Sequence, residues 1–166
     1  MHVLSRLAFG PRPGQLEEVI DMGVDTWVDE QFESKPAQSG LLANHLSDFI
    51  TLEMTPGECR NFTDVPLPPN AGREERRKRN QARRKPIDEL TQAVALRAIL
   101  SDRQVEEVLC EFWRNHFNVS FTKGYPSQAY IPNYEARVVR ANVLGNFQNM
   151  LTASAKHPAM LHYLDN

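Results

Sequence analysis

The stretch SDRQVEEVLCEFWRNHFNVSF, residues 101–121, decides the fold because it carries the clearest helical pattern in the chain. Ser101 or Asp102 can cap a helix, and the glutamates that follow suit its positive N-terminal end. An apolar stripe recurs at about 100° per residue, formed by Val105, Leu109, Phe112 and His116 and widened by Trp113 and Phe117. The opposite face carries Glu107, Glu111, Arg114 and Asn118. This pattern predicts an amphipathic helix over 102–118 that packs on a core.

The preceding segment, IDELTQAVALRAIL (87–100), is apolar nearly all round from Ala93 to Leu100. A helix of this kind is typical of a central, buried position. Pro86 suits the first turn of this helix, where a missing N–H costs no intrahelical hydrogen bond. We therefore expect an irregular bundle built around the helices at 87–100 and 102–118.

Further helical patterns flank this pair, and no stretch shows the convincing alternation of a strand. They cover residues 15–23, 24–32, 41–54, 134–144, 146–156 and 159–164, with Asn133 and Asn146 as candidate N-caps. The residue before a proline disfavours the α conformation, so the 146–156 helix is expected to end near His157 and Pro158 to open the last helix. The sequence predicts an all-α fold of about seven or eight helices in one domain spanning residues 1–166.

Two stretches interrupt the helical periodicity. TPGECRNFTDVPLPPNAG (55–72) holds four prolines and two glycines, and proline lacks the donor that a helix interior or central strand needs. It is predicted to be a Pro-rich loop. TKGYPSQAYIP (122–132) is predicted to be a second loop, with two tyrosines.

Positive charge is concentrated in REERRKRNQARRK (73–85). This segment has eight basic and two acidic residues, a net +6, whereas the rest of the chain has eleven basic and nineteen acidic residues, a net −8. The i,i+4 pairs Glu74–Lys78 and Glu75–Arg79 favour a helix. Clustered cations bind polyanions through counterion release, and the residues available for this are Arg73, Arg76, Arg77, Lys78, Arg79, Arg83, Arg84 and Lys85.

The basic segment leaves two interpretations open. Weak, sequence-independent binding of nucleic acid or another polyanion is one of them. A solvated charged helix without a ligand is the other, since no aromatic residues are interleaved for stacking on single strands.

The histidines do not form a recognisable metal motif. His116 and Glu111 lie about 140° apart around a helix and cannot share an ion, so His116 is predicted to be a hydrogen-bonded core histidine. His157 and His162 have only Asp165 nearby, short of the three or four ligands of a zinc site. Asp165 and Asn166 are predicted to form a C-terminal cap or turn. No metal site and no cofactor are predicted.

Composition is that of a globular protein, with 41% hydrophobic and 24% charged residues. No apolar run approaches the ~20 residues that span a bilayer, and MHVLSRLAFGPRPG at the start has too short an apolar stretch for a signal peptide. A cytoplasmic location is the default expectation. Cys59 and Cys110 give neither a disulfide framework nor a zinc spacing. Nucleophile and phosphate-loop signatures are absent.

Three stretches in order resemble the domain of unknown function 1800 family: LSRLAFGPRPGQLEEVIDMGVDTWVDEQF, EFWRNHFNVS and NVLGNFQNMLTASAKHPAMLHYLDN. The resemblance spans nearly the whole chain. It implies a bacterial protein from a family with no established activity, whose members are often exported and often run to several hundred residues. Members typically continue past the stretch matching HPAMLHYLDN into an Asn/Glu-rich helix, so the resemblance implies that residues 1–166 are an N-terminal portion.

If the family has a polar centre, the matching positions in this chain that could contribute to it are Trp113, Asn115, His116, His157, Asp165 and Asn166. The leading expectation for the function is a helical portion with no catalysis of its own. Part of an enzyme whose site is completed by a further C-terminal region is one alternative, and a polyanion-binding module is another. Met160, Leu161 and Leu164 share a face of the last short helix, which predicts self-association through an exposed apolar surface.

Overall fold

The computed structural model describes residues 2–33 and 40–166, and all the regular structure within them is helical. Eight of the ten α-helices in these residues have seven or more residues, which confirms the predicted all-α fold. Their bounds are α1 His2–Leu7, α2 Gln15–Met22, α3 Val24–Phe32, α4 Gly40–Ser47, α5 Pro56–Thr63, α6 Arg73–Leu100, α7 Gln104–His116, α8 Ser127–Tyr134, α9 Phe147–Lys156 and α10 Pro158–Tyr163. Short 3₁₀ turns cover Ile50–Leu52, Phe121–Lys123 and Arg140–Asn142, and a π-helical turn covers Glu135–Val139.

Helix α5 lies inside the predicted Pro-rich loop, so that prediction is wrong for its first half. Thr55 caps the helix by accepting a hydrogen bond from the Glu58 backbone N–H at 3.3 Å. The Glu58 carboxylate accepts in return from the Thr55 backbone N–H at 2.8 Å. Pro56 occupies the first helical position, where proline is favoured. The prolines of 55–72 therefore begin one helix and form a connection after it.

Helix α6 runs without a break through Pro86, so the predicted helix start at that residue is wrong. Pro86 removes only the hydrogen bond that its N–H would have donated to Ala82, and its ring is fully buried. The C-terminal half of α6 also differs from the prediction of all-round burial. Leu90 and Ala93 are buried, but Ile99 is 63% exposed, so α6 covers the core with one face.

Helix α8 replaces most of the second predicted loop. It packs against α5, α6 and α10 and occupies a central position beside α6. Asn133 lies inside α8 and does not cap the next helix. Instead of an α-helix over 134–144, the chain continues from α8 into the π-helical turn Glu135–Val139 and then into a 3₁₀ turn.

The hydrophobic core of the described residues includes two parts that are joined by Leu109 of α7, which packs against both. The larger part lies between α7, α8, the π-helical turn, α9 and α10, and contains Cys110, Val119, Tyr134, Val138, Val139, Val143, Met150 and Ala159. The smaller part holds α1, α2 and α3 against α7 through Leu4, Ala8, Val19, Trp27 and Val105. Helix α7 is thus the element on which both ends of the chain pack.

Buried polar side chains fix the connections between these elements. Glu89 of α6 accepts hydrogen bonds from the Thr51 backbone N–H at 2.9 Å and from its hydroxyl at 2.6 Å. Gln31 of α3 accepts from the Val105 N–H at 3.4 Å. Gln104 accepts from the Phe9 N–H at 3.3 Å and donates to the Ser101 carbonyl at 2.7 Å. Helix α7 begins at Gln104, so the prediction of a cap at Ser101 or Asp102 is wrong.

Candidate functional site

His116 lies at the exposed end of α7, so the prediction of a core histidine is wrong. Val105, at the start of the apolar stripe, is buried in the core, whereas Phe112, further along the stripe, is 56% exposed. The His116 ring contacts Trp113 and Phe117 edge-to-face, with centroids 5.5 and 4.8 Å apart. The core continues instead along the polar side of α7, where Glu107 is buried against Arg140.

Asn115 and Glu111 form a local pair on the same part of α7. The Asn115 amide donates to the Glu111 carboxylate at 3.0 Å, and the Arg114 guanidinium lies 2.8 Å from the other oxygen of that carboxylate. Glu111 therefore interacts with its helical neighbours and not with His116. The contacts of Asn115 and His116 are all made near the end of α7.

His157 caps α10 with a neutral ring. Its Nδ1 accepts a hydrogen bond from the Ala159 N–H at 3.1 Å, and its Nε2 lies 3.1 Å from Oδ1 of Asn133. Since Nδ1 must accept, the proton resides on Nε2 and is donated to Asn133. The Asn133 amide in turn donates to the Met54 carbonyl at 3.0 Å. Burial lowers the pKa of His157 to about 4, so the ring is uncharged at neutral pH.

Asp165 and Asn166 close α10, as the sequence predicts. The Asn166 N–H donates to the Leu161 carbonyl at 3.0 Å and the Asp165 N–H to the His162 carbonyl at 3.3 Å, which is a Schellman motif. The left-handed residue is Asp165, with φ of 59°. Its carboxylate also accepts from Lys123 at 2.7 and 2.8 Å, and this interaction lowers the pKa of Asp165. These contacts differ from those of His116 and His157, so the family-matched positions do not converge on one constellation.

The basic segment forms the N-terminal half of α6, and its side chains divide between two sides of the helix. Arg73, Arg77 and Arg84 lie within about 40° of one another around the axis, are exposed, and line a shallow open groove together with Arg76. Asp88 is the acidic residue at the far end of this groove. We call these four arginines the basic face.

The remaining cations of the segment are turned toward protein groups or paired along the helix. Arg83 lies 3.2 Å from the Asp64 carboxylate, with its guanidinium carbon 4.0 Å from the centre of the Tyr125 ring. Lys85 pairs with the buried Glu89 at 3.3 Å, and Lys78 with Glu74 at 2.8 Å. Arg79 is half-buried. Of the eight predicted polyanion-binding residues, the structure presents Arg73, Arg76, Arg77 and Arg84 together on one surface.

A second feature, not indicated by any sequence pattern, is a group of buried charges around the π-helical turn. Arg140 makes a two-point hydrogen bond with Glu107, of which one contact is 3.0 Å and the other shorter. The Glu135 carboxylate lies 3.5 Å from Nε of Arg140 and 3.6 Å from Nε of Arg114. Neither of its oxygens has a hydrogen-bond partner in the described residues.

The pKa values of this charged group follow from its burial. Burial raises the pKa of Glu135 against the opposing effect of Arg114, Arg140 and Arg97. Burial also acts to lower the pKa of Arg140, but the hydrogen bonds and charge of Glu107 raise it above its ordinary value. Glu135 lies in the helix predicted over 134–144, and nothing in that pattern indicates that its carboxylate is buried.

The two cysteines are buried and unpaired. Burial raises the pKa of Cys59 to about 11 and that of Cys110 to about 12, so both remain thiols at neutral pH. Among residues 2–33 and 40–166, no three His, Cys, Asp or Glu side chains are grouped so that they could hold a metal ion. The helices in the same residues include none long and apolar enough to cross a membrane.

Comparison with known proteins gives one match. No curated protein and no solved structure matches the chain. The family model described as "Protein of unknown function (DUF1800)" matches residues 2–166, essentially the whole chain, which confirms the resemblance found in the sequence. The chain belongs to the DUF1800 family of proteins of unknown function.

Proposed function

We propose that this chain is a helical domain without catalysis of its own that binds polyanions weakly through the basic face of α6. The observation that supports it is the alignment of Arg73, Arg76, Arg77 and Arg84 along one exposed groove. In the described part of the chain, Arg73 and Arg77 have no acidic partner within ion-pair distance, and Arg84 has only Asp88, at 3.8 Å. Their charges are therefore available to a ligand.

The geometry suits a linear polyanion better than a small one. Arg73 and Arg84 are separated by about 16 Å along the helix at 1.5 Å per residue, so one compact anion cannot contact both. No aromatic side chains lie between these arginines to stack on bases. Binding is therefore expected to depend on charge and not on nucleotide sequence. The net −8 of the rest of the chain repels phosphates elsewhere on the surface and keeps the overall affinity low.

The experiment is a salt series on the purified chain with fluorescent duplex DNA and with heparin. Four contacts predict a slope of log affinity against log salt of about −3.6 for the duplex, with Kd of about 10⁻⁴–10⁻⁶ M at physiological salt. Two duplexes of unrelated sequence are expected to bind equally. Binding that is unaffected by salt, or that distinguishes the two duplexes by more than tenfold, would contradict the proposal.

The absence of independent catalysis is part of the same proposal. Its support is that the candidate groups are engaged in the fold: His157 caps α10, Asp165 pairs with Lys123, and Asn115 bonds to Glu111. Screening the chain against ester, phosphoester and glycoside reporter substrates tests this part, and turnover that disappears in His116→Ala or His157→Ala would overturn it.

A further inference from the structure

We infer that the polyanion of the basic face is single-stranded nucleic acid, and that one of its bases stacks on the ring of Phe121. The inference rests on the proposed function, because it takes the phosphate contacts of the arginines as given and adds a contact to a base. The base occupies a small cavity at the Arg84 end of the basic face. This cavity has a volume of about 270 Å³, the space of about nine water molecules at ~30 Å³ each.

The cavity continues the groove that the basic face lines. Arg84 lines both, and Ile87, on the next turn of α6, lines the cavity. The other side of the cavity is formed by Phe121, Thr122, Gly124 and Gln128. None of the described residues that line it carries a carboxylate, and Asp88, 3.8 Å from Arg84, lines the groove and not the cavity. A strand that runs along the basic face from Arg73 to Arg84 therefore reaches this cavity next.

Phe121 is held at the cavity by a short turn. Its side chain is 55% exposed, and it is the first residue of a 3₁₀ turn. The Ser120 hydroxyl caps this turn by accepting a hydrogen bond from the Thr122 N–H at 3.2 Å. The Gly124 N–H and the Gln128 side-chain amide donate to the Phe121 carbonyl at 3.1 and 3.3 Å. These bonds fix the backbone that carries the ring, so little conformational entropy is lost when a base packs on it.

Stacking on Phe121 requires a base whose face is free. Bases inside a duplex are covered by their neighbours, whereas the bases of a single strand stack on aromatic side chains whatever their identity, because every base has a π-face. The polar groups of the cavity are already engaged locally: the Thr122 hydroxyl lies 2.7 Å from that of Ser120, and the Gln128 amide bonds to the Phe121 carbonyl. The site is therefore expected to favour unpaired bases without selecting among them.

The test compares two single-stranded probes of equal length and charge on the whole chain: an oligothymidylate and an abasic oligodeoxynucleotide, whose sugars carry no bases. Affinity is measured by fluorescence anisotropy over a salt series. We expect the oligothymidylate to bind about tenfold more tightly, an effect in the range of one base–aromatic stack. The salt slopes of the two probes are expected to be equal, because the phosphate contacts are the same.

The two proposals fail in different ways. Equal affinities of the two strands would overturn the stacking inference and leave the charge-dependent binding intact. If neither the abasic strand nor duplex DNA binds, the proposed function fails and the stacking inference fails with it.

Variants locate the base. Phe121→Ala, at a position more than half exposed, is expected to remove the tenfold advantage of the oligothymidylate and to leave the affinity for the abasic strand within twofold. Phe121→Trp, which provides an aromatic face again, is expected to retain the advantage. The matched control is Phe112→Ala, because Phe112 is 56% exposed and does not line the cavity; it is expected to retain the advantage too. An advantage that persists in Phe121→Ala places the base elsewhere and contradicts the inference.

Discussion

The proton on His157 couples the stability of the fold to pH. The folded chain holds the pKa of His157 at about 4, below the ordinary value of 6.5, because the ring is buried and its Nδ1 accepts the Ala159 N–H. As the pH falls, the unfolded chain takes up this proton first. The contribution of His157 to stability is therefore complete above about pH 6.5 and is lost as the pH falls through about 4.

The measurement is urea unfolding of the chain and of His157→Asn at pH 7, 6 and 5. Asn is a good N-cap and does not titrate, so the variant is expected to be less sensitive to pH over this range than the parent. Identical pH profiles for the two proteins would show that His157 is not held neutral in the fold.

Glu89 is the residue whose loss is expected to damage the interior most. In Glu89→Ala the Thr51 N–H and hydroxyl, both buried, lose their acceptor. The predicted cost is about 2–4 kcal/mol of unfolding free energy. The control is Asp88→Ala, which removes a neighbouring exposed carboxylate and is expected to change stability by less than about 0.5 kcal/mol. Equal effects of the two substitutions in denaturant unfolding would refute the assigned role.

Helix α5 supplies a prediction at the scale of one element. Thr55→Ala removes the side-chain acceptor of its N-cap and is expected to cost about 1 kcal/mol. Thr26→Ala, at an exposed position of α3, removes the same atoms where no cap is lost and is expected to be neutral or slightly stabilising. Urea unfolding of both variants tests this, and a Thr55→Ala protein as stable as Thr26→Ala would argue against an ordered α5.

For individual helices, the sequence is a good guide where the apolar periodicity is strong and a poor guide where the helix contains proline. The N-cap at Asn146 is confirmed by its hydrogen bond from the Gln148 N–H at 2.7 Å, and the start at Pro158 is confirmed by α10. Helix α5 was missed although TPGE (55–58) carries a capping-box signature. The four prolines of residues 55–72 are typical of a loop, whereas the capping-box signature at 55–58 indicates a helix start.

The sequence does not predict that α6 continues through Pro86, nor that charges are buried near Glu135, and the reasons differ. Pro86 predicts a helix start from local rules, but packing of its buried ring on the core offsets one lost hydrogen bond. The burial of Glu107 and Glu135 depends on arginines distant in sequence, Arg140 for the first and Arg114 for the second. Hydrophobic periodicity does not indicate ion pairs between distant residues, so this group of buried charges could not be predicted from the sequence.

For the whole molecule, the exposed apolar residues near the C-terminus predict self-association. Met160 packs against the core, but Leu161 and Leu164 remain exposed, Leu164 by 58%. Leu161→Gln with Leu164→Gln is expected to lower the sedimentation-derived association constant at least several-fold and to reduce binding of a hydrophobic dye. Ile20→Gln is the control, because Ile20 is 68% exposed on α2. A parent protein that stays monomeric and binds no dye at high concentration would contradict this prediction.

The central claim is that one exposed face of α6, and not overall charge, carries the polyanion binding. Two triple variants with the same change in net charge test it most directly: Arg73→Gln, Arg77→Gln, Arg84→Gln on the basic face, and Arg6→Gln, Arg137→Gln, Lys156→Gln at exposed positions elsewhere. The measured quantity is the slope of log affinity against log salt for duplex DNA. We predict that the first variant reduces the magnitude of the slope by about 3 and the second by less than about 1. Equal reductions in the two variants would contradict the account.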